Sequence, residues 1–328
     1  MTSIIFQITD SAGTATAYLT GVKGREGTLG VNAATVRYDC STVAGNEVES
    51  VLEKAYKSGM SVGIVTTTYV THASPAGSYA KTDNRGWYSD GAYMDYYEGE
   101  KPANHTSCKD IATQLFEKSG NMTVIMGGGR RHFYPNEHEQ GRKDGNDFIA
   151  NWKSQKDVKY VDNKDDLFAY ANAGYSEDRL IGIFAEGHLE YHVDREEKAP
   201  TQPSLINMTE IAIRKLSMNP NGFYLFVEGG KIDHGHHDTE PIRALYDFKD
   251  LDESIGKARE LVNLDETLVM VSADHSHVFT IGGYGRRGAN LFGVGTASTT
   301  DDDENTFISK LYSVLTPLVR ECYAVRPF

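Results

Sequence analysis

Cationic side chains are the minority in this chain: 33 Lys and Arg stand against 46 Asp and Glu, a net charge of -13 over 328 residues. Non-specific nucleic-acid binding needs a positive surface, so nucleic acid is not expected as a partner. An anion site here must carry its own positive charge, from cations, arginine or a helix N-terminus. Cysteine is scarce: Cys40, Cys108 and Cys322 form no CxxC pair, which argues against a zinc knuckle. No apolar stretch reaches the length of a membrane-spanning helix. The first residues carry no basic region followed by an apolar one, so no signal peptide is expected.

Hydrophobic residues at 39% and charged residues at 24% are ordinary for a globular protein with a core. Strand and helix signals alternate, pointing to an α/β fold, a three-layer arrangement of a largely parallel sheet flanked by helices. Helices are expected at 12–20, at 46–58 (with Asn46 and Glu49 as a capping box), at 110–118, at 204–217 and from Pro241 to 261. Apolar β-branched strands are expected at 61–68, at 123–129, within 222–230 and at 267–275. In the last helix Ile242, Leu245, Phe248, Ile255 and Ala258 keep helical spacing. Segments 130–165 and 296–306 read as polar surface loops, the first around a short helix. GYGRRG at 283–288 matches GxGxxG, but no clear helix follows it, so it is read as a glycine-rich loop.

Two clusters carry chemistry. EGGKIDHGHH, 228–237, follows directly on an apolar strand, and in open α/β sheets ligands bind beyond the strands' C-terminal ends. Asp233 and His237 are four apart, so one helical turn puts both on one side, a carboxylate–imidazole pair suited to zinc. ADHSH, 273–277, ends another apolar run and supplies Asp274, His275 and His277. Two such clusters suggest a two-metal site able to hold the attacking and leaving oxygens of an in-line displacement. Asp10-Ser11 opens a small-residue helix, where backbone N–H groups and the dipole favour an alkoxide and a bound phosphate.

Taken together, DSAGTATAYLTGVK, GIVTTTYVTHASPAGSYA, NRGWYSD, VIMGGGRR, VEGGKIDHGHH and ADHSHVFTIGGY resemble the animal alkaline phosphatases, in the same order, over residues 8–312. The resemblance implies a metal-dependent phosphomonoester hydrolase with two zinc ions and one magnesium. Ser11 then resembles the nucleophile that becomes a phosphoserine, and Arg85 the arginine that clamps two phosphate oxygens. Asp233 and His237 resemble ligands of one zinc, Asp274 and His275 those of the other, and Ser74 and Glu228 magnesium ligands. Asp10, His72, His234 and His277 resemble residues placed around those ligands. Cys40 and Cys108 match positions that pair as a disulfide. Asn104, Asn121 and Asn207 begin N-x-[ST] sequons and are glycosylation candidates in a secreted parent.

The chain also departs from that pattern. No acidic residue precedes Asp10, where the family has an aspartate bridging zinc and magnesium, and no histidine follows His277, where it has a further zinc ligand. Ala185 and Gln202 stand where its calcium site has acidic residues. The family forms homodimers, but its dimer-capping insertion has no counterpart here. The expectation is a catalytic region, 1–312, followed by a divergent tail, 313–328, of weak activity by itself. Its alternative is an inactive fragment or isoform. The resemblance implies a glycosylphosphatidylinositol-anchored parent at the extracellular face of the plasma membrane, with phosphate monoesters as substrates. A sulfatase would need a C/S-x-P-x-R context, but Ser11 is followed by Ala-Gly-Thr.

Overall fold

The computed structural model describes residues 9–91 and 108–281, apart from 139 and 177, with short strands at 294–295, 309–310 and 312–315. Five strands, β1 (Ser61–Tyr69), β2 (Val124–Gly128), β3 (Val158–Val161), β4 (Arg179–Ile183) and β5 (Phe223–Glu228), form one parallel sheet in the order β3-β4-β2-β1-β5. β1 lies inside the sheet, and Val62, Ile64 and Val65 are fully buried, as an apolar run covered on both faces must be. On one face, helices α1 (Ser11–Thr20), α2 (Val51–Lys57), α3 (Ala73–Ala76), α4 (Ile111–Lys118) and α5 (Phe148–Ser154) contribute to a core with Leu52, Ile64, Leu115 and Trp152. The other core gathers Val65, Met126 and Leu180 under α6 (Lys164–Asn172) and α8 (Leu205–Leu216), the short α7 (Arg195–Lys198) lying between them in sequence. This is the three-layer α/β arrangement expected. Helices α9 (Lys231–His237) and α10 (Pro241–Leu261) follow β5, and the strands β6 (Val278–Ile281) with β9 (Tyr312–Leu315), and β7 (Val294–Gly295) with β8 (Ser309–Lys310), make two antiparallel pairs.

Several local expectations change. α1 begins at Ser11, and its N-cap is Asp10, whose side chain accepts from the Gly13 N–H. α2 starts at Val51, capped by the reciprocal pair Ser50 and Glu53 rather than by Asn46 and Glu49. Asn46 belongs instead to a turn, where its side chain donates to the Thr42 carbonyl at 2.9 Å, and the Val48 N–H pairs with the Gly30 carbonyl at 2.9 Å. Within 130–165 the short helix is α5, but β3 was missed, because an edge strand reading VKYV has too little apolar alternation to stand out. α6 and β4 were also unread.

In α10 the buried face is Ala244, Asp247, Asp250 and Ser254, while Ile242 and Phe248 are exposed. Polar partners decide this: buried Asp250 accepts from Arg195 and the Leu205 N–H, and Asp247 from the His192 N–H. The apolar run 267–272 belongs to no strand, and Leu268 and Met270 are 83% and 82% exposed. The expected divide at 312/313 falls at the start of β9. Asn104, Cys322, the 283–288 loop and segment 296–306 lie outside the described residues.

Candidate metal and phosphate site

β1 and β5 run side by side, and Glu228 at the end of β5 is in register with Thr66, three residues before β1 ends. Both Thr66 and Thr68 hydroxyls donate to one Glu228 carboxylate oxygen, at 2.6 and 3.1 Å. Ser74, at the start of α3, lies close enough to Glu228 to favour its ionised form. Burial raises the Glu228 pKa, and these hydroxyl bonds only partly offset it. Such a carboxylate gains most from a cation that completes its neutralisation.

After β5, Gly229 and Gly230 turn the chain into α9. A Cβ on Gly230 would stand 2.4 Å from the Thr68 side chain and 3.0 Å from the Glu228 carboxyl carbon, so the turn passes the site only as glycine. α9 then sets Asp233 and His237 on one side, as their spacing predicts. His277 comes to the same place from the other cluster. The ligand atoms of Asp233, His237 and His277 all lie within 4.8 Å of one another. Both imidazole Nε2 atoms face the same Asp233 oxygen, at 3.4 Å for His237 and 2.5 Å for His277. Burial opposes ionisation of Asp233, but the two imidazole hydrogen bonds outweigh it and hold the carboxyl far below the usual range.

Ser11 is buried at the first position of α1, with its Oγ 3.2 Å from His275 Nε2, and that ring lies 3.4 Å from Asp274. Beside it Arg85 donates to Asp10 at 2.8 Å, while the other Asp10 oxygen accepts the Gly27 N–H at 2.9 Å. Burial raises the Asp10 pKa, yet the Arg85 charge and the backbone donors win and keep it ionised. The charges of Arg85, His234 and Asp233 all bear on the buried His72, whose Nδ1 has no hydrogen-bond partner. Tyr18 lies near Ser74 and sits in the field of Glu228 and Asp274, and burial first and then those charges raise its pKa. Residues from α1, α3, α9, β5, the Arg85 loop and the 274–277 segment are thus gathered beyond the sheet's C-terminal edge.

Thr66, Thr68, Tyr18 and His188 were not singled out in the sequence. Threonine at a strand end and an isolated loop histidine carry no pattern of their own. Of the remaining expectations, Cys40 and Cys108 form a disulfide with Cα atoms 5.7 Å apart. Asn121 is exposed, and Asn207 sits at the start of α8 in a reciprocal cap with Ser204. Ala185 is buried, and Gln202 accepts the Glu190 N–H at 2.7 Å.

The family profile described as alkaline phosphatase matches residues 3–326. The chain belongs to the alkaline phosphatase family. It is 46% identical to the tissue-nonspecific isozyme of Felis catus over 93% of this chain and 59% of that one. To the alkaline phosphatase of Gadus morhua it is 45% identical, over 93% of this chain and 65% of the other. The chain therefore spans about three-fifths of the length of these relatives. Among solved structures, the Thermus thermophilus alkaline phosphatase superposes with a TM-score of 0.66 at 30% identity, over 85% of this chain and 51% of that one. A variant of the TAB5 alkaline phosphatase with Mg bound in its M3 site superposes with a TM-score of 0.68 at 21% identity, over 96% and 75% of the two chains, a likeness of fold.

Proposed function

We propose that this chain is the catalytic part of a metal-dependent phosphomonoester hydrolase. The observation that carries this reading is the buried Ser11 hydroxyl at the N-terminus of a ten-residue helix, 3.2 Å from His275 and next to Asp10, which holds the Arg85 guanidinium at 2.8 Å. Ser11 Oγ attacks phosphorus, the P–O bond to the organic group breaks, and the alcohol leaves. Water then cleaves the phosphoserine, releasing inorganic phosphate and restoring the hydroxyl. The α1 N-terminus and Arg85 carry the favourable field for the phosphoryl oxygens. Asp10 holds Arg85 by one guanidinium nitrogen and fixes where its planar fork points.

The residues fit the metals that family membership implies. Carboxylate and imidazole donors suit zinc, while Glu228 surrounded by hydroxyls suits magnesium, which prefers oxygen. Asp233, His237, Asp274 and His275 would hold zinc, and Ser74 and Glu228 magnesium. Bound there, such ions supply Lewis acidity at the attacking and leaving oxygens and lower the pKa of water. Phosphate monoesters are the substrate class, since the gathered groups address phosphate and no organic moiety. The Cys40–Cys108 bridge fits an oxidising, extracellular compartment and a secreted, glycosylated parent. A homodimer is the proposed assembly of that parent.

A second reading, a form inactive by itself, is favoured by the exposure of the 267–272 run immediately before Asp274 and His275. The two are separated by assaying an aryl phosphate at alkaline pH with saturating zinc and magnesium beside Ser11→Ala. Turnover lost in the variant supports hydrolysis through Ser11, and equal background in both supports the inactive form.

A further inference from the structure

His188 lies in the loop after β4 and belongs to neither sequence cluster. Its backbone is pinned on both sides: the Leu189 N–H donates to the Thr67 carbonyl at 2.9 Å, and the Gly187 carbonyl accepts the Gly129 N–H at 2.8 Å. Its ring is pinned as well. Nδ1 accepts the Tyr69 backbone N–H at 3.2 Å, and the ring stacks on the Tyr69 ring at 3.6 Å with 5° between planes. An Nδ1 that accepts carries no proton, so the neutral ring has its proton on Nε2. This fixed ring meets His234 edge-on at 4.4 Å, and His72 at 5.5 Å and 87°. His234 follows Asp233 directly on α9. Among the described residues its ring contacts are His188 and, farther off at 5.6 Å, His72.

We propose that His188 is a positioning residue: a ring locked by β1 that sets the orientation of His234 beside Asp233. This rests on the reading of the site as a phosphate and metal centre. The role divides into two parts that substitution can separate. His188→Asn keeps an acceptor near the Nδ1 position for the Tyr69 N–H but removes the ring. His188→Phe keeps a ring against Tyr69 and His234 but removes the acceptor. His188→Ala removes both.

The full chain is loaded with zinc and magnesium and assayed with an aryl phosphate. The His234 imidazole is followed in parallel by NMR of histidine-labelled protein, assigned with His234→Gln. The proposal expects His188→Ala to lower kcat about tenfold with a smaller change in KM, as loss of an outer residue that orients the groups around a ligand does. It expects His188→Phe to recover most of kcat and the His234 resonance, and His188→Asn to recover neither. Recovery by His188→Asn rather than His188→Phe would make His188 only a backbone acceptor and overturn the proposal, as would an unmoved His234 resonance in His188→Ala. If the wild-type chain shows no turnover, the functional reading fails, and the His234 resonance alone decides the positioning role.

Discussion

Asp10 and Arg85 are joined at 2.8 Å, and the same carboxylate caps α1 through the Gly13 N–H and ties down the Gly27 N–H. One side chain therefore sets both the helix end and the arginine. Removing it by Asp10→Ala is expected to cost more stability than Asp10→Asn by about 1 kcal/mol, the worth of an N-cap. Arg85→Ala leaves the cap and removes charge-assisted bonds to phosphate of roughly 1.5–3 kcal/mol each, so kcat/KM is expected to fall tenfold or more. Urea unfolding and steady-state kinetics check the two halves. Equal stabilities of Asp10→Ala and Asp10→Asn would show the cap to be idle.

His132 gives a pH dependence away from the candidate ligands. Its Nδ1 donates to the Gln140 carbonyl at 3.0 Å, its Nε2 is buried without a partner, and burial pushes its pKa down to about 3. The folded value lies below the unfolded one, near 6.5, so the unfolded chain binds the extra proton between them. Stability is then full above about pH 6.5 and falls as pH drops towards 3, by about 1.4 kcal/mol per pH unit for one site in mid-window. His132→Asn keeps a donor for Gln140 and removes the titration. Its urea stability should fall less steeply between pH 6 and 4 than that of the wild type. Parallel slopes would rule out His132 as a source.

The Cys40–Cys108 disulfide closes a loop across 68 positions. Cys40→Ser with Cys108→Ser is expected to lower stability by roughly 2–4 kcal/mol. Denaturant unfolding of the double variant measures this, and peptide mapping without reduction must find the 40–108 cross-link in the parent.

Leu268, Met270 and Val271 are 83%, 82% and 62% exposed, in a run of high β-propensity. An exposed apolar run of this kind promotes association. Leu268→Lys with Met270→Lys is therefore expected to reduce light scattering at 37 °C while leaving the unfolding midpoint nearly unchanged, because neither side chain is buried. A lowered midpoint would show that the run is packed in solution.

Legibility differed by element. β1, β2 and β5 were readable as apolar runs because both of their faces sit against helices, and α10 was readable from Pro241 to its end. β3 was not, since its four residues, VKYV, are short and broken by a lysine, whereas β5 at the other edge reads FYLFV. The 267–272 run carried a strand's composition, but a strand also needs a neighbour to hydrogen-bond, and composition cannot supply one.

The sequence by itself determined the α/β class, the helical spacing of Asp233 and His237, and family membership, because these depend on residue types and short separations along the chain. Only the tertiary structure decided what lies across the site: Thr66 and Thr68 on Glu228, His277 on Asp233, Asp10 on Arg85, and His188 against His234. Thr66 and Glu228 are 162 positions apart, and Ser11 and His275 264. Contacts at such separations depend on strand order and on where each strand ends, which no local pattern of side chains encodes.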